Sequence, residues 1–191
     1  MTLRSLAVAG AVFVAAAIPA SANQFESELK ALSVGKIADI SSSQEVIAAI
    51  KSQNERTATY DQSKIDELDK TWRAEAESND QPMIDDVLGN DLSGYLMDIQ
   101  DGSGGLFTEI FVMDAKGLNV GQSDVTSDYW QGDEAKWKET FGKGPNSVLI
   151  GELEQDDSTQ QLQSQVSITV ADPDTGEPIG AVTFGVNIEQ L

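Results

Sequence analysis

Apolar residues recur at helical spacing through the first half of the chain and alternate through the second half. After an apolar start, Phe25, Leu29, Leu32, Ile37 and Ile40 fall close to one helical face. Ser42 and Glu45, three apart, carry a capping-box pattern ahead of Val46, Ile47 and Ile50. Ile65, Leu68 and Trp72 repeat the stripe, and the polar stretch from Asn54 to Ser63 predicts a break between helices. Pro82 after Asn79-Asp80-Gln81 marks a further helix start, and the stripe Ile84, Val87, Leu88, Leu92, Tyr95, Leu96, Ile99 follows it. Asp101-Gly102-Ser103-Gly104-Gly105 ends that stripe and predicts a joint.

Beyond the joint the period changes. Phe107–Met113 predicts a strand, Asp114-Ala115-Lys116-Gly117 a turn with Gly at positive φ, and Leu118–Gln122 the returning strand. Asp133–Phe141 predicts a short helix with Asp133 at its start and Trp137 four residues before Phe141. Val148–Leu153 reads as a strand. Val166, Ile168 and Val170 alternate with Gln165, Ser167 and Thr169, which predicts a half-buried strand. Val182, Phe184, Val186 and Ile188 alternate likewise, and the loop from Ala171 to Pro178 joins the two runs as a hairpin. The fold class is therefore α+β: helices first, then an antiparallel sheet whose one face the helices cover. The other face, under Ser123–Phe141, is where a pocket is expected.

The first residues change the compartment. Arg4, the apolar run Leu6–Ile18, Pro19 and the small residues Ala20-Ser21-Ala22 form a three-part secretory signal, with cleavage expected after Ala22. The run is shorter than the roughly 20 residues of a spanning helix. Residues 1–22 are thus expected to be a leader, 23–105 a helical region and 106–191 the sheet, forming one domain with the helices. A periplasmic or secreted location follows, without direct membrane insertion.

Composition then narrows the chemistry. The 191 residues carry 32 acidic and 12 basic side chains, a net charge of −20, with no His and no Cys. So acidic a chain is not expected to bind nucleic acid by its bulk field. Without His or Cys there is no Ser-His-Asp triad, no Cys nucleophile, no disulfide and no ordinary zinc site. No cofactor, metal or catalytic residue is expected. Asp172, Asp174 and Glu177 around Gly176 lack the spacing of a calcium loop and read as a polar turn, and Asp156 and Asp157 belong to another exposed loop. Gly102, Gly104 and Gly105 follow a helix and precede a strand, the wrong order for a phosphate-binding loop. Two carboxylates opposed across a cleft, as a glycosidase needs, have no sequence support. Lys136, Lys138 and Lys143 are expected to pair with surface acids, Lys138 with Glu134 at helical spacing.

The run Phe111-Val112-Met113-Asp114-Ala115-Lys116-Gly117-Leu118-Asn119-Val120, the aromatic loop Thr126–Glu134 and the hairpin Ile168–Val182, in that order behind long helices, resemble the Cache (PDC) sensor domains. These are the extracytoplasmic PAS-like domains of bacterial receptors. The resemblance implies a five- or six-stranded antiparallel sheet behind long N-terminal helices. It also implies a small-molecule ligand, such as an amino acid, organic acid or amine, held between the sheet and the loops over it. Ser123, Asp124, Asp128, Tyr129, Trp130 and Trp137 are the expected ligand-binding residues, the aromatics and carboxylates together suiting a cation. The resemblance does not extend to an Arg before the loop aromatics, where Asp128 stands. Only Glu189-Gln190-Leu191 follows the last strand run, so signalling is expected to pass through a separate membrane partner, a histidine kinase or a diguanylate cyclase. The alternative reading is a protein-interaction module with a vestigial pocket, binding a partner or itself through the long helices.

Overall fold

The computed structural model describes residues 23–155 and 161–191, so the expected leader and Asp156–Asp157 lie outside the described residues. Helix α1 (Glu26–Leu32) passes through a π-helical turn (Ser33–Ile37) into α2 (Ala38–Ser41). Helices α3 (Gln44–Thr57), α4 (Gln62–Ala76), α5 (Pro82–Leu88) and α6 (Asp91–Asp101) follow. The sheet holds β1 (Phe107–Met113), β2 (Asn119–Gln122), β3 (Val148–Ile150), β4 (Glu154–Gln155), β5 (Leu162–Ala171) and β6 (Pro178–Asn187). Its order is β2-β1-β6-β5-β3, antiparallel in every pairing, with β4 also paired to β5. A short helix α7 (Ala135–Lys138) and a 3₁₀ turn (Phe141–Lys143) lie between β2 and β3. The architecture is the expected α+β fold, helices against a six-stranded antiparallel sheet. Among the described residues no helix is long and apolar enough to cross a membrane.

The helix boundaries follow from caps. Ser43, not Ser42, caps α3, accepting from the Val46 N–H at 3.4 Å. The break expected between Asn54 and Ser63 falls at residues 58–60, and Asp61 caps α4 through the Lys64 N–H. Helix α5 starts at Pro82 as expected, but Gln81 does not cap it with its side chain. Glu75 of α4 does so instead, its Oε2 accepting from Met83 N at 2.7 Å and Ile84 N at 3.1 Å. A carboxylate there also faces the positive end of the helix. The stripe read as continuous from Ile84 to Ile99 is broken at Gly89-Asn90, where the Asn90 side chain accepts from Ser93 N and opens α6.

Separate apolar clusters build the core. On the helix side Ile110, Val112, Val166, Ile168, Val170, Val182, Phe184 and Val186 pack with Leu29, Ile37, Val46, Ile50 and Leu96. A second cluster joins Ile65 and Trp72 of α4 to Ile84 and Val87 of α5, and to Leu118 and Tyr129. The expectation of half-buried hairpin strands is corrected here. Ser167, Thr169 and Thr183, which alternate with the core residues, are buried too, because residues 123–144 roof the other face.

An ion pair ties α3 to the β5–β6 hairpin: Lys51 Nζ lies 2.8 Å from Asp172 Oδ2. That hydrogen bond, helped by the Asp174 N–H on Oδ1, holds the Asp172 carboxyl below the usual carboxylate value, while Asp172 raises Lys51 above the usual lysine value. The carboxylate's folded value is the lower one. Its contribution is therefore complete above about pH 4 and lost as pH falls through the folded value. Lysine's part is complete below about pH 10 and lost as pH rises through its own raised value. Asp172→Asn is accordingly expected to lower the melting temperature near neutral pH. In thermal melts the gap to the parent protein should close on acidification well below about pH 4. A gap independent of pH would show that the pair contributes nothing through charge.

Candidate functional site

The strand register lays one row of side chains across the roofed face. Gln122 of β2 stands opposite Phe111 of β1, Phe111 opposite Thr183 of β6, Thr183 opposite Ser167 of β5, and Ser167 opposite Leu149 of β3. Directly opposed residues share a face, so the row is continuous. Ser167 and Thr183 hydroxyls bond each other at 2.8 Å. Above the middle of the row, Trp137 and Phe141 stack at 4.9 Å and pack on Phe111, Met113 and Ala181.

Lys136 enters under this roof. Its Nζ is 5.2 Å from the Phe111 ring centre and 3.0 Å from Glu134 Oε2, and its side chain is only 17% exposed. Lysine was expected to pair with an acid at the surface; here the ammonium is largely enclosed and rests on an aromatic face, a favourable placement for a cation. Lys138 bonds the carbonyl of Asp133 rather than Glu134. The helix start itself carries no side-chain cap, contrary to the expected role of Asp133. A cavity of about 320 Å³ opens beside Lys136, lined by Glu134, Leu149, Gln165 and Ser167 among others.

The β2 end of the row is polar and incompletely bonded. Asn119 Nδ2 donates to Gln122 Oε1, Thr126 Oγ1 and the Asp128 carbonyl at 3.0, 2.7 and 3.1 Å. Asn119 Oδ1, Gln122 Nε2 and Gln131 Oε1 are buried and find no partner among the described residues. Each such atom costs about 1–3 kcal/mol, and three together are an unusual concentration. The face therefore offers a donor and two acceptors at one end, an ammonium in the middle and hydroxyls at the other end.

The residues expected from the sequence are distributed as follows. Ser123 extends the β1–β2 ladder, its Oγ accepting from Ile110 N and its N–H donating to Ile110 O, both at 2.8 Å. Asp124 is exposed and accepts from Val125 N. Asp128 lies 3.1 Å from Arg73 Nη1; burial pushes its carboxyl above the usual value, against the pull of that guanidinium. Tyr129 is buried with its ring stacked on Trp72 at 5.5 Å, and burial drives its hydroxyl far above the usual tyrosine value. Trp130 donates to the Lys116 carbonyl at 2.8 Å and packs in the same cluster. Trp137 donates to the Asp114 carbonyl at 3.1 Å and belongs to the cluster over Phe111. Trp137 thus stands on the row's face, while Tyr129 and Trp130 anchor the loop into the α4–α5 core. Asp69 of α4 clamps that loop, its Oδ1 accepting from both Tyr129 N and Trp130 N at 3.0 Å.

Sequence reasoning missed Gln122, Gln131, Ser167 and Thr183, and it assigned Lys136 to a surface ion pair. A signal was present. The alternating polar residues of β5 and β6 face a segment bearing Trp137 and Phe141, and an aromatic segment needs a surface to cover.

No family model matches the chain, and no curated protein is similar to it in sequence. Among solved structures it is similar to the ligand-binding domain of a Campylobacter jejuni chemoreceptor in complex with 4-methylisoleucine. The identity is 10% and the TM-score 0.40, over 79% of this chain and 63% of that one. The V. cholerae histidine kinase DctB sensor domain is 11% identical, with a TM-score of 0.36 over 87% of this chain and 56% of that one. The ligand-binding domain of the Pseudomonas aeruginosa amino acid chemoreceptor PctC, in complex with GABA, is 14% identical, with a TM-score of 0.41 over 82% and 60%. The chain is similar to bacterial sensor domains. It spans less than two thirds of the length of each of these three.

Proposed function

We propose that this protein is a small-molecule-binding sensor-like domain, with a binding rather than a catalytic role. Its ligand lies on the row from Gln122 to Ser167, beneath α7. The observation that carries this reading is the lysine ammonium enclosed over Phe111 on the roofed face, beside a cavity, with three unpartnered amide atoms buried toward the β2 end. The adjoining cavity, about 320 Å³, falls at the lower end of the range for small-ligand sites, roughly 300–1,000 Å³. Lys136 suits a carboxylate, which selects an organic acid or an amino acid over a simple amine. Glu134, already beside Lys136, suits an amino group if the ligand has one. On this reading ligand occupancy shifts the roof segment between states, and a separate membrane partner, a histidine kinase or a diguanylate cyclase, reads the change. An exported, periplasmic or secreted location belongs to the same proposal.

The test is a thermal-shift screen of the purified protein against amino acids, organic acids and amines. A ligand at a hundred times its dissociation constant is expected to add about 2.7 kcal/mol, visible as a raised melting temperature. Lys136→Met is expected to weaken a carboxylate ligand about 10- to 100-fold, the equivalent of one charged hydrogen bond, with the fold retained. A screen without a hit, or a hit unaffected by Lys136→Met and by Gln122→Leu, would remove the inner face as the binding site.

A further inference from the structure

Residues 124–128 form a strap between two anchors. Ser123, before it, is bonded to Ile110 through both Oγ and N–H, and Tyr129, after it, is buried against Trp72. Between the anchors the chain has no regular secondary structure, and Asp124, Val125 and Ser127 are exposed. The strap touches down through Thr126 and Asp128. Thr126 bonds Asn119 and Gln122 with its hydroxyl, and its carbonyl accepts from Trp72 Nε1 at 2.8 Å. The Asp128 carbonyl accepts from Asn119 Nδ2 and Gln131 Nε2 at 3.1 and 2.9 Å.

One cation holds the Asp128 side chain. Arg73 of α4 places Nη1 3.1 Å from Asp128 Oδ1 and Nε 2.8 Å from Asp69 Oδ2. The two carboxylates are 19% and 13% exposed, the guanidinium side chain 57%. Among the described residues no other cation pairs with either acid. Glu134, which leads into α7, adds negative charge toward Asp128, and Asp133 adds it toward Arg73. Attraction to an exposed cation is weak and is screened by salt, whereas repulsion between enclosed carboxylates is screened much less. Burial, with Asp69 and Glu134 beside it, keeps the Asp128 carboxyl above its usual value despite Arg73.

The groups under the strap make opening less costly. Asn119 Oδ1, Gln122 Nε2 and Gln131 Oε1 are buried without a partner among the described residues. Asn119 and Gln131 both bond the Asp128 carbonyl. Lifting that carbonyl breaks those bonds but lets water reach the three unbonded atoms, which offsets part of the loss.

We propose that residues 124–128 are a proton-sensitive strap: Arg73 holds it closed at neutral pH and low salt, and proton uptake by Asp128 closes it more firmly and without need of Arg73. The closed strap gives Asp128 its raised value, and the open strap returns it to that of a free carboxyl. The closed state therefore binds the proton more tightly. Closure is gained as pH falls through the closed-state value, is complete below the free value of about 4, and is weakest above the closed-state value. The device does not depend on the ligand proposed for the inner face.

Hydrogen exchange of the Trp72 indole N–H, followed by NMR and corrected for the intrinsic rate, tests it, because the acceptor of that N–H is the Thr126 carbonyl. Protection is expected to rise about twofold or more from about pH 7 to about pH 4. At about pH 7 it should fall about two- to fivefold as salt rises from about 0.05 to about 1 M. Arg73→Met should lower protection by a similar factor at about pH 7, remove the salt response, and leave protection at about pH 4 unchanged. Asp128→Asn should hold protection at the acid level throughout. Melting temperatures check that both variants are folded. The proposal is overturned by a pH response that survives in Asp128→Asn, or by Arg73→Met exchanging like the parent protein at about pH 7. It is also overturned if the indole is as protected as the amide of Val182 in the core, since the strap would then open only with the whole fold.

Discussion

Trp72→Ala is expected to destabilise the protein by about 4 kcal/mol, lowering the melting temperature by about 10 °C. Trp72 is fully buried, and it joins α4 to the aromatic loop and to α5. Its ring stacks on Tyr129, its Nε1 donates to the Thr126 carbonyl at 2.8 Å, and it packs in the cluster with Ile84 and Val87 of α5. The substitution therefore removes a large core side chain, an aromatic pair and the bond that holds the start of the aromatic loop. Trp72→Phe keeps the pair and loses the bond, so it should cost only about 1–2 kcal/mol. The loop should also respond: limited proteolysis near Val125 should accelerate in Trp72→Ala more than elsewhere in the chain. A change in melting temperature below about 3 °C would mean that the α4–α5 cluster does not contribute to the cooperative fold.

That cluster also explains what the sequence made legible and what it hid. Local chemistry was readable wherever one residue decides a backbone conformation. Gly117, at φ 80°, closes the turn after β1, and Pro82 opens α5. The strands β5 and β6 were readable because their core residues alternate without interruption, and β1 because an apolar run is closed by a glycine turn. What stayed hidden was set by contacts between distant segments. Glu75 caps a helix that begins seven residues later, and nothing in the local pattern at Gln81 announces it. Asn90 interrupts an apolar spacing that resumes in α6, although Ile84 and Val87 pack in one cluster and Leu92 and Leu96 in another, so periodicity alone reads through the break.

The site shows the same division. An aromatic loop with carboxylates suits a cation when only its sequence is known. Folded, Tyr129 and Trp130 turn into the α4–α5 core, held by Asp69, while strand polar groups such as Gln122, Ser167 and Thr183 lie on the face where the pocket was expected, under Ser123–Phe141, but were given no role there. Whether a polar strand position faces water or a ligand depends on what lies over it. Residues 123–144 supply that cover from elsewhere in the chain.

Asp114→Ala is expected to cost about 4 kcal/mol, because four donors converge on a fully buried carboxylate and each loses its acceptor. Oδ1 accepts from Lys116 N and Leu118 N at 2.8 and 3.0 Å, which shapes the turn between β1 and β2. Oδ2 accepts from Thr57 Oγ1 and Gln53 Nε2 at 2.8 and 3.3 Å, which fixes that turn to α3. Asp114→Asn retains an acceptor for the turn but presents an amide N–H₂ to Thr57 and Gln53. It should cost about half as much, since the Thr57 hydroxyl can rotate and accept, whereas flipping the Gln53 amide to accept would break its bonds to the Leu118 and Asn119 carbonyls. Because Asp114 sets where β2 begins, its loss should also move Asn119 and Gln122, and with them the polar end of the row. The discriminating measurement pairs a denaturant melt with the ligand titration in the Asn variant. Parallel loss of stability and ligand response would tie the α3–turn network to the site. Full ligand response in the destabilised but folded variant would separate them, and would mean that the row is positioned by the β1–β6 register alone.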